Sequence, residues 1–273
     1  MKKAVAKYYQ IKSDKVVLSE IPIRIVFISD LHNISIGHRN EILLDKIDSL
    51  SPDLVLIGGD TIVGKPGVSM DVGLDFIKEV AKRHHVYAAN GNHEYRLKIY
   101  PDTYKDMYNH YLETLQRAGV TLLSNQNVCL IINETPIVIH GLELNRSNYK
   151  RFNKQELSVA ELSKYLGEIE ADKFHILLAH NPYYGPTYMS WGADLTLSGH
   201  YHGGIVRLPQ NKALIGNDFQ IFPSYAYGRH KEDGRYLIAS AGLGEHTIPV
   251  RVNNPRELVV VDIIGNENKS KRG

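Results

Sequence analysis

Aspartate, histidine and asparagine side chains gather at five places along this chain, each just past a short apolar run. Asp30-Leu31-His32 follows residues 23–29, Gly59-Asp60 follows 54–58, and Asn90-Gly91-Asn92-His93-Glu94 follows 85–89. His180-Asn181-Pro182 follows 174–179, and Gly199-His200-Tyr201-His202-Gly203-Gly204 follows 195–198. Singly these motifs are weak, because Asp-x-His is commonly a turn or a cap. Jointly they are a donor set. Carboxylate, imidazole and amide oxygen without thiolate suit Mn, Fe, Zn, Co or Ni ions rather than copper or iron–sulfur centres. Seven such side chains exceed what one tetrahedral zinc takes, and they are sensible for two ions that share a carboxylate.

The five runs are of strand length and apolar almost throughout, as expected of strands buried on both faces of a sheet. Helical patterns alternate with them. Residues 38–50 place Ile42, Leu43, Ile47 and Leu50 on one stripe ahead of Pro52, and residues 72–83 carry Phe76, Ile77 and Val80. Residues 105–118 and 155–166 are further helix candidates. The alternation implies an α/β fold with parallel strands joined by right-handed crossovers. Ligands in such folds bind beyond the carboxyl ends of the strands, where the loops converge. Residues 128–132 and 136–141 read as a hairpin about Glu134-Thr135, and 236–240 and 258–264 as later strands. With no repeat or composition break, residues 1–265 read as one domain, with a polar lead-in over 1–20 and a disordered tail over 266–273.

Composition narrows the class. The chain has 273 residues, with 32 Lys+Arg against 30 Asp+Glu, a formal charge of +2. So small a surplus argues against a histone-like nucleic-acid binder. One cysteine excludes a disulfide framework and a zinc ribbon. Cys129 itself lies in an apolar strand and reads as an inert core residue. No stretch has the length of a transmembrane helix, and no apolar region follows the basic start at Lys2, Lys3 and Lys7, so the chain reads as cytoplasmic.

In that order, D-x-H, G-D, G-N-H-[DE], H and G-H-x-H resemble the signature of the calcineurin-like metallophosphoesterase superfamily. The run Gly199 to Pro209 with Ser240-Ala241-Gly242-Leu243-Gly244 resembles its bacterial YkuE/YaeI-like phosphodiesterase subgroup. The resemblance implies a four-layer αββα sandwich, two mixed β-sheets flanked by helices. It implies Asp30, His32 and His202 on one metal, Asn92, His180 and His200 on a second, and Asp60 bridging both. It further implies hydrolysis of a phosphodiester or pyrophosphate by a metal-bridging hydroxide, with His93 protonating the leaving group. A phosphomonoesterase of the same mechanism, or a non-catalytic metal-binding module on this fold, are the alternatives.

Departures from the family pattern are informative. Gly59-Asp60-Thr61-Ile62-Val63-Gly64 lacks the arginine of the protein phosphatases, which argues against that class. The subgroup's arginine before Gly-Leu-Gly is Ala241 here, with Arg96 and Arg207 as candidate substitutes. The implied substrate is a small-molecule or lipid-linked phosphoester. Many subgroup members carry an N-terminal membrane anchor, so a membrane-anchored full-length form is the alternative localisation. Tyr100, Tyr104, Tyr108 and Tyr111 read as a packed aromatic face, with a substrate wall as the sharper alternative, and the long 207–235 loop is expected to border the site.

Overall fold

Period-2 alternation inside unbroken apolar runs dictates the layering. The computed structural model describes residues 3–150, 154–208, 213–215, 221–245 and 250–266. In chain order, β1 (Ala4–Ser13) and β2 (Ile23–Ile28) precede α1 (Glu41–Leu50), β3 (Leu54–Ile57), α2 (Asp71–Ala81) and β4 (Val86–Ala89). Helices α3 (Asn92–Ile99), α4 (Pro101–Tyr104) and α5 (Met107–Arg117) lead to β5 (Thr121–Leu123) and the hairpin β6 (Gln126–Ile132) and β7 (Thr135–Leu142). Then come α6 (Val159–Leu166), β8 (Phe174–Ala179), α7 (Gly185–Trp191) and β9 (Leu195–Ser198). The short pair β10 (Val206–Arg207) and β11 (Ala213–Ile215) precedes β12 (Gly228–Glu232), β13 (Arg235–Ala239) and β14 (Arg256–Gly265).

Two six-stranded sheets result, ordered β1-β14-β2-β3-β4-β5 and β12-β13-β9-β8-β7-β6. Both are mixed: β2 to β5 run parallel, as do β7, β8, β9 and β13, whereas β14 is antiparallel to β2 and β6 to β7. Within β2, Ile25 and Phe27 face the second sheet, while Val26 and Ile28 face the helices. The inter-sheet core joins these to Ile137, Ile139, Phe174, Ile176 and Leu178. Outside the first sheet lie α1, α2 and α5, and outside the second lie α6 and α7 around Tyr188 and Trp191. The four layers are helices, sheet, sheet, helices.

Several boundaries differ from the sequence expectation for physical reasons. Ile42 is 40% exposed and Leu44 takes its place on the buried stripe, because positions 43, 47 and 50 set the phase of α1. Helix α6 starts late, at Val159, where Ser158 and Glu161 exchange hydrogen bonds in a capping box. The hairpin turn is Asn133-Glu134, both with positive φ, one residue ahead of the expected pair. Cys129 is exposed, not core: β6 is an edge strand whose Val128, Leu130 and Ile132 face inward and whose Cys129 and Ile131 face out. Ala4–Ser13, inside the expected lead-in, pairs in parallel with all of β14. Its lysines suit an exposed sheet edge. Gly265 ends β14, Asn266 donates to Asp14, and the rest of the expected tail, 267–273, lies outside the described residues. Among the described residues, no helix is long and apolar enough to cross a membrane.

The outer face of the second sheet buries two histidines. His175 Nε2–H donates to Glu170 O at 2.9 Å, which leaves its Nδ1 to accept from His140 Nε2 at 2.9 Å. His140 Nδ1 is buried without a partner, and the Trp191 ring meets it edge-on at 5.1 Å. Burial pushes His140 down to about 3, with His175 adding to the effect, and also lowers His175. Both rings are neutral when folded, whereas unfolded histidine takes a proton near pH 6.5 (about the model-peptide value). Their contribution is therefore complete above that pH and is lost as pH falls toward the folded pKa. A His140→Leu variant should lose less stability between pH 7 and pH 5 than the parent, as read from urea midpoints in chelator. An identical loss in both proteins would contradict this.

Candidate metal centre

The ladders of both sheets continue past the strand ends and bring the polar loops together. Asp30 N–H donates to Gly59 O and His32 N–H to Asp60 O, each at 3.0 Å, which staples the first two loops. Gly199 N–H donates to His180 O, and Leu243 N–H to Ser29 O, which joins the second sheet to the first. The chain turns sharply here: Asp30, His32, Asp60, His200 and His202 all have φ between 47° and 67°. Such left-handed backbone is strained for these residues and persists only where surroundings over-determine it. Two glycines allow the approach. A Cβ on Gly199 would lie 1.9 Å from Ser29 Oγ, and one on Gly59, with φ +91°, would lie 2.2 Å from Gly91 N.

The two carboxylates are used alike. Asp30 and Asp60 are buried. Asp60 Oδ1 accepts from His93 N–H at 2.7 Å and Asp30 Oδ2 from Ser29 Oγ at 2.5 Å, while His200 N–H is shared between Asp30 Oδ1 at 3.1 Å and Oδ2 at 3.2 Å. The other oxygens face imidazole nitrogens. Asp60 Oδ2 lies 3.2 Å from His180 Nε2, 3.7 Å from His32 Nε2 and 3.9 Å from His93 Nε2. Asp30 Oδ1 lies 3.4 Å from His202 Nε2 and 3.8 Å from both His32 Nε2 and His180 Nε2. Burial opposes the Asp60 charge, yet the imidazoles of His180, His93 and His32 hold it well below the usual carboxylate range.

These groups fit a metal. His180 Nδ1–H donates to Gly58 O at 2.7 Å, so in the neutral ring the Nε2 lone pair aims at the two carboxylates. Nε2 is buried, with Asp60 Oδ2 at 3.2 Å. Burial alone would depress His180, but Asp60 and Asp30 raise it to about 10, the behaviour of a site that calls for a cation. His32 Nε2 and His202 Nε2 face each other at 3.2 Å, and Asn92 Oδ1 is buried without a partner. Among the described residues, three sets of donor atoms each lie within 4.8 Å of one another: Asp30, His32 and His202; His32, Asp60 and His93; Asp60, His180 and His200. Asn92 sits at the start of α3 in a recess it shares with Tyr149, whose ring lies 5.2 Å from that of His200.

Other residues outside the expected set also serve this centre. Glu94 accepts four backbone N–H groups, those of Asp60, Thr61, Ile62 and Gly91. Burial and the nearby Asp60 push its pKa up to about 7, but every partner is a donor, which suits the carboxylate form. Its position three residues after Gly91, at the start of a helix, was the available signal. His93 Nδ1 accepts from Gly64 N–H at 2.9 Å, so a backbone amide sets its tautomer. Arg251 donates from Nη2 to the carbonyls of Ala241, Gly242 and Gly244 and lies 3.4 Å from His202 Nδ1. No motif in the sequence marks it. Of the two arginines expected to substitute, Arg96 lines the recess with Asn92. Arg207 instead stacks on Tyr227 at 3.9 Å and donates to Asn253 O. The tyrosines mostly pack: Tyr104 and Tyr111 are core, and Tyr108 OH accepts from Asn90.

Residues 23–204 match the family model described as calcineurin-like phosphoesterase. A metallophosphoesterase of Aquifex aeolicus is 28% identical over 251 residues, covering 90% of this chain and 87% of that protein. The phosphodiesterase YaeI of Escherichia coli is 26% identical over 255 residues, covering 89% of this chain and 83% of its own. Among solved structures, the sulfate thiohydrolase SoxB of Thermus thermophilus superposes with a TM-score of 0.54 at 12% identity, over 90% of this chain and 57% of that one. That last likeness is one of fold.

The Glu94 clamp generates a test. Glu94→Gln places amide hydrogens against backbone N–H donors that a carboxylate satisfies, and should loosen the Asp60 loop. Metal affinity should fall roughly 10- to 100-fold, the range for partners that orient metal ligands, with cooperative unfolding retained. Metal titration reads this out, and unchanged affinity would refute the clamp.

Proposed function

Because the chain belongs to the calcineurin-like phosphoesterase family, and is thus a metal-dependent hydrolase of phosphoester bonds, we propose that it holds two metal ions and cleaves a phosphodiester or pyrophosphate. The observation that carries the two-ion reading is Asp60 Oδ2, which faces imidazoles of both outer donor sets. Asp30, His32 and His202 would hold one ion, Asn92, His180 and His200 the other, and Asp60 both. Two divalent cations supply Lewis-acid charge neutralisation at the phosphoryl oxygens and lower the pKa of water to give a nucleophile near neutral pH. Mn, Fe, Zn, Co and Ni all suit these nitrogen and oxygen donors. The name of the Escherichia coli relative supports a diester substrate.

His93 is the proposed donor to the leaving oxygen. With Nδ1 accepting from Gly64, the ring hydrogen sits on Nε2, on the side facing Asp60. At 3.9 Å that Nε2 is too far from Asp60 Oδ2 for a hydrogen bond, so its N–H is available to substrate. Burial pushes His93 down to about 3, so the ring is neutral. A neutral imidazole donates a hydrogen bond to developing charge, and the proton it delivers as that oxygen becomes basic is replaced at Nε2 by one from the water consumed in hydrolysis, which returns the ring to its neutral form.

Leaving-group dependence tests this assignment. His93→Ala should slow hydrolysis of a dialkyl phosphodiester by roughly 10²- to 10⁴-fold. It should slow bis(4-nitrophenyl) phosphate far less, since nitrophenolate leaves without a proton. Metal content by elemental analysis should be unchanged. Equal slowing of both substrates, or loss of metal, would remove His93 from the donor role.

A further inference from the structure

Next to the centre, Asn92, Tyr95, Arg96, Arg146, Tyr149 and Lys150 line a recess of about 250 Å³. Sites for whole organic ligands run from roughly 300 to 1,000 Å³, so this one suits a single compact group. Three of its lining side chains are cationic and none is acidic. Among the described residues, no carboxylate pairs with Arg96, Arg146 or Lys150. The acid nearby in sequence, Glu143, is taken by Lys98 at 2.5 Å and by Asn90 at 2.6 Å. Arg96 Nε is buried with no hydrogen-bond partner. Arg146 lies over the Tyr100 ring, 5.0 Å from its centroid, and donates to the Tyr100 hydroxyl, so an aromatic holds it without neutralising it. Gathered cations repel one another, and a cleft lined by one sign of charge concentrates the opposite ion.

Position gives the recess its meaning. Asn92 is shared between it and the proposed metal ligands, and Tyr149 touches both its interior and the His200 ring. A group seated here lies alongside the phosphoryl group at the centre. We propose that the recess binds a second anionic group of the substrate, a phosphate linked to the one being cleaved. Preferred substrates then belong to the pyrophosphate class, not to isolated phosphodiesters. This rests on the metal-dependent reading of the centre above.

Binding by the metal-loaded protein decides it without turnover. Methylenediphosphonate, which has two linked phosphonates and no cleavable bridge, should bind more tightly than orthophosphate in calorimetry. Arg146→Gln and Arg96→Gln should each shrink that preference about tenfold, the value of one charge-assisted hydrogen bond, and exposed Lys150→Gln should shrink it without risk to folding. The ratio of kcat/KM for a dinucleoside pyrophosphate over bis(4-nitrophenyl) phosphate should fall in parallel. An unchanged preference in all three variants would overturn the proposal even if hydrolysis is robust. So would equal weakening of both ligands, which would show that the recess grips the scissile phosphate itself. Absence of hydrolysis on every substrate would count against the proposed reaction, while the binding result would still decide the recess.

Discussion

The Asp60 carboxylate is the constraint on which the rest of this structure depends. It is 2% exposed, and one of its oxygens faces three imidazoles from three different loops. A buried charge is tolerable only when paired and hydrogen-bonded, and breaking one partner leaves the other uncompensated. The surroundings meet that demand in layers. His93 N–H fixes one oxygen, and Glu94 fixes the loop's own N–H groups. Glu94 is itself a buried anion beside a buried anion, an arrangement that backbone dipoles alone sustain poorly. Cations at the centre would relieve both, so metal binding and local stability are coupled here.

The same constraint explains why the fold needs two sheets. Asp30, His32, Asp60 and Asn92 come from loops of the first sheet, whereas His180, His200 and His202 come from the second. Distances across the centre are therefore set by the inter-sheet core, where Phe27 and Leu178 sit just below the loops. Close-packed cores hold such spacing rigidly. The cost is concentrated in the turns, where five site residues adopt left-handed backbone. Rigid strands below and strained turns above are one arrangement: the strands supply the rigidity that keeps the turns from relaxing.

The sequence discloses the strands and the donor residues readily because each signal is local. A short run such as 174–179, apolar but for His175, reads as a strand with both faces covered, and the histidine after it falls at the sheet edge. Six of the seven expected donors, all but Asn92, lie close together there, and Asn92 lines the adjoining recess with Tyr149. Signals that depend on what lies opposite are not legible. Cys129 and Val128 look alike in sequence, and only the edge position of β6 sends one outward. Ala4–Ser13 reads as polar because one side of an edge strand is wet. Arg251 carries no motif, yet it ties the Ala241–Gly244 backbone, where Ala241 stands at the position of the subgroup's arginine. Glu94 lay inside a recognised motif, but its role is to bind backbone amides, and amides are invisible in a sequence.

Net charge was the least informative number, and the structure shows why. A surplus of +2 excludes a broad basic surface, but it averages over positions that differ in sign by design. Asp30 and Asp60 make the centre anionic until cations enter it. Arg96, Arg146 and Lys150 make its flank cationic, with no acid among the lining residues. Fields from neighbouring charges of one sign persist over roughly a Debye length of 8–10 Å. Local ordering of charge, donors inside and cations at the margin, is what the proposed site for a multiply charged phosphate adds to a metal site alone. That ordering follows from the loops that carry Asn92 and Tyr149, both of which line the recess, Tyr149 with its ring against that of His200.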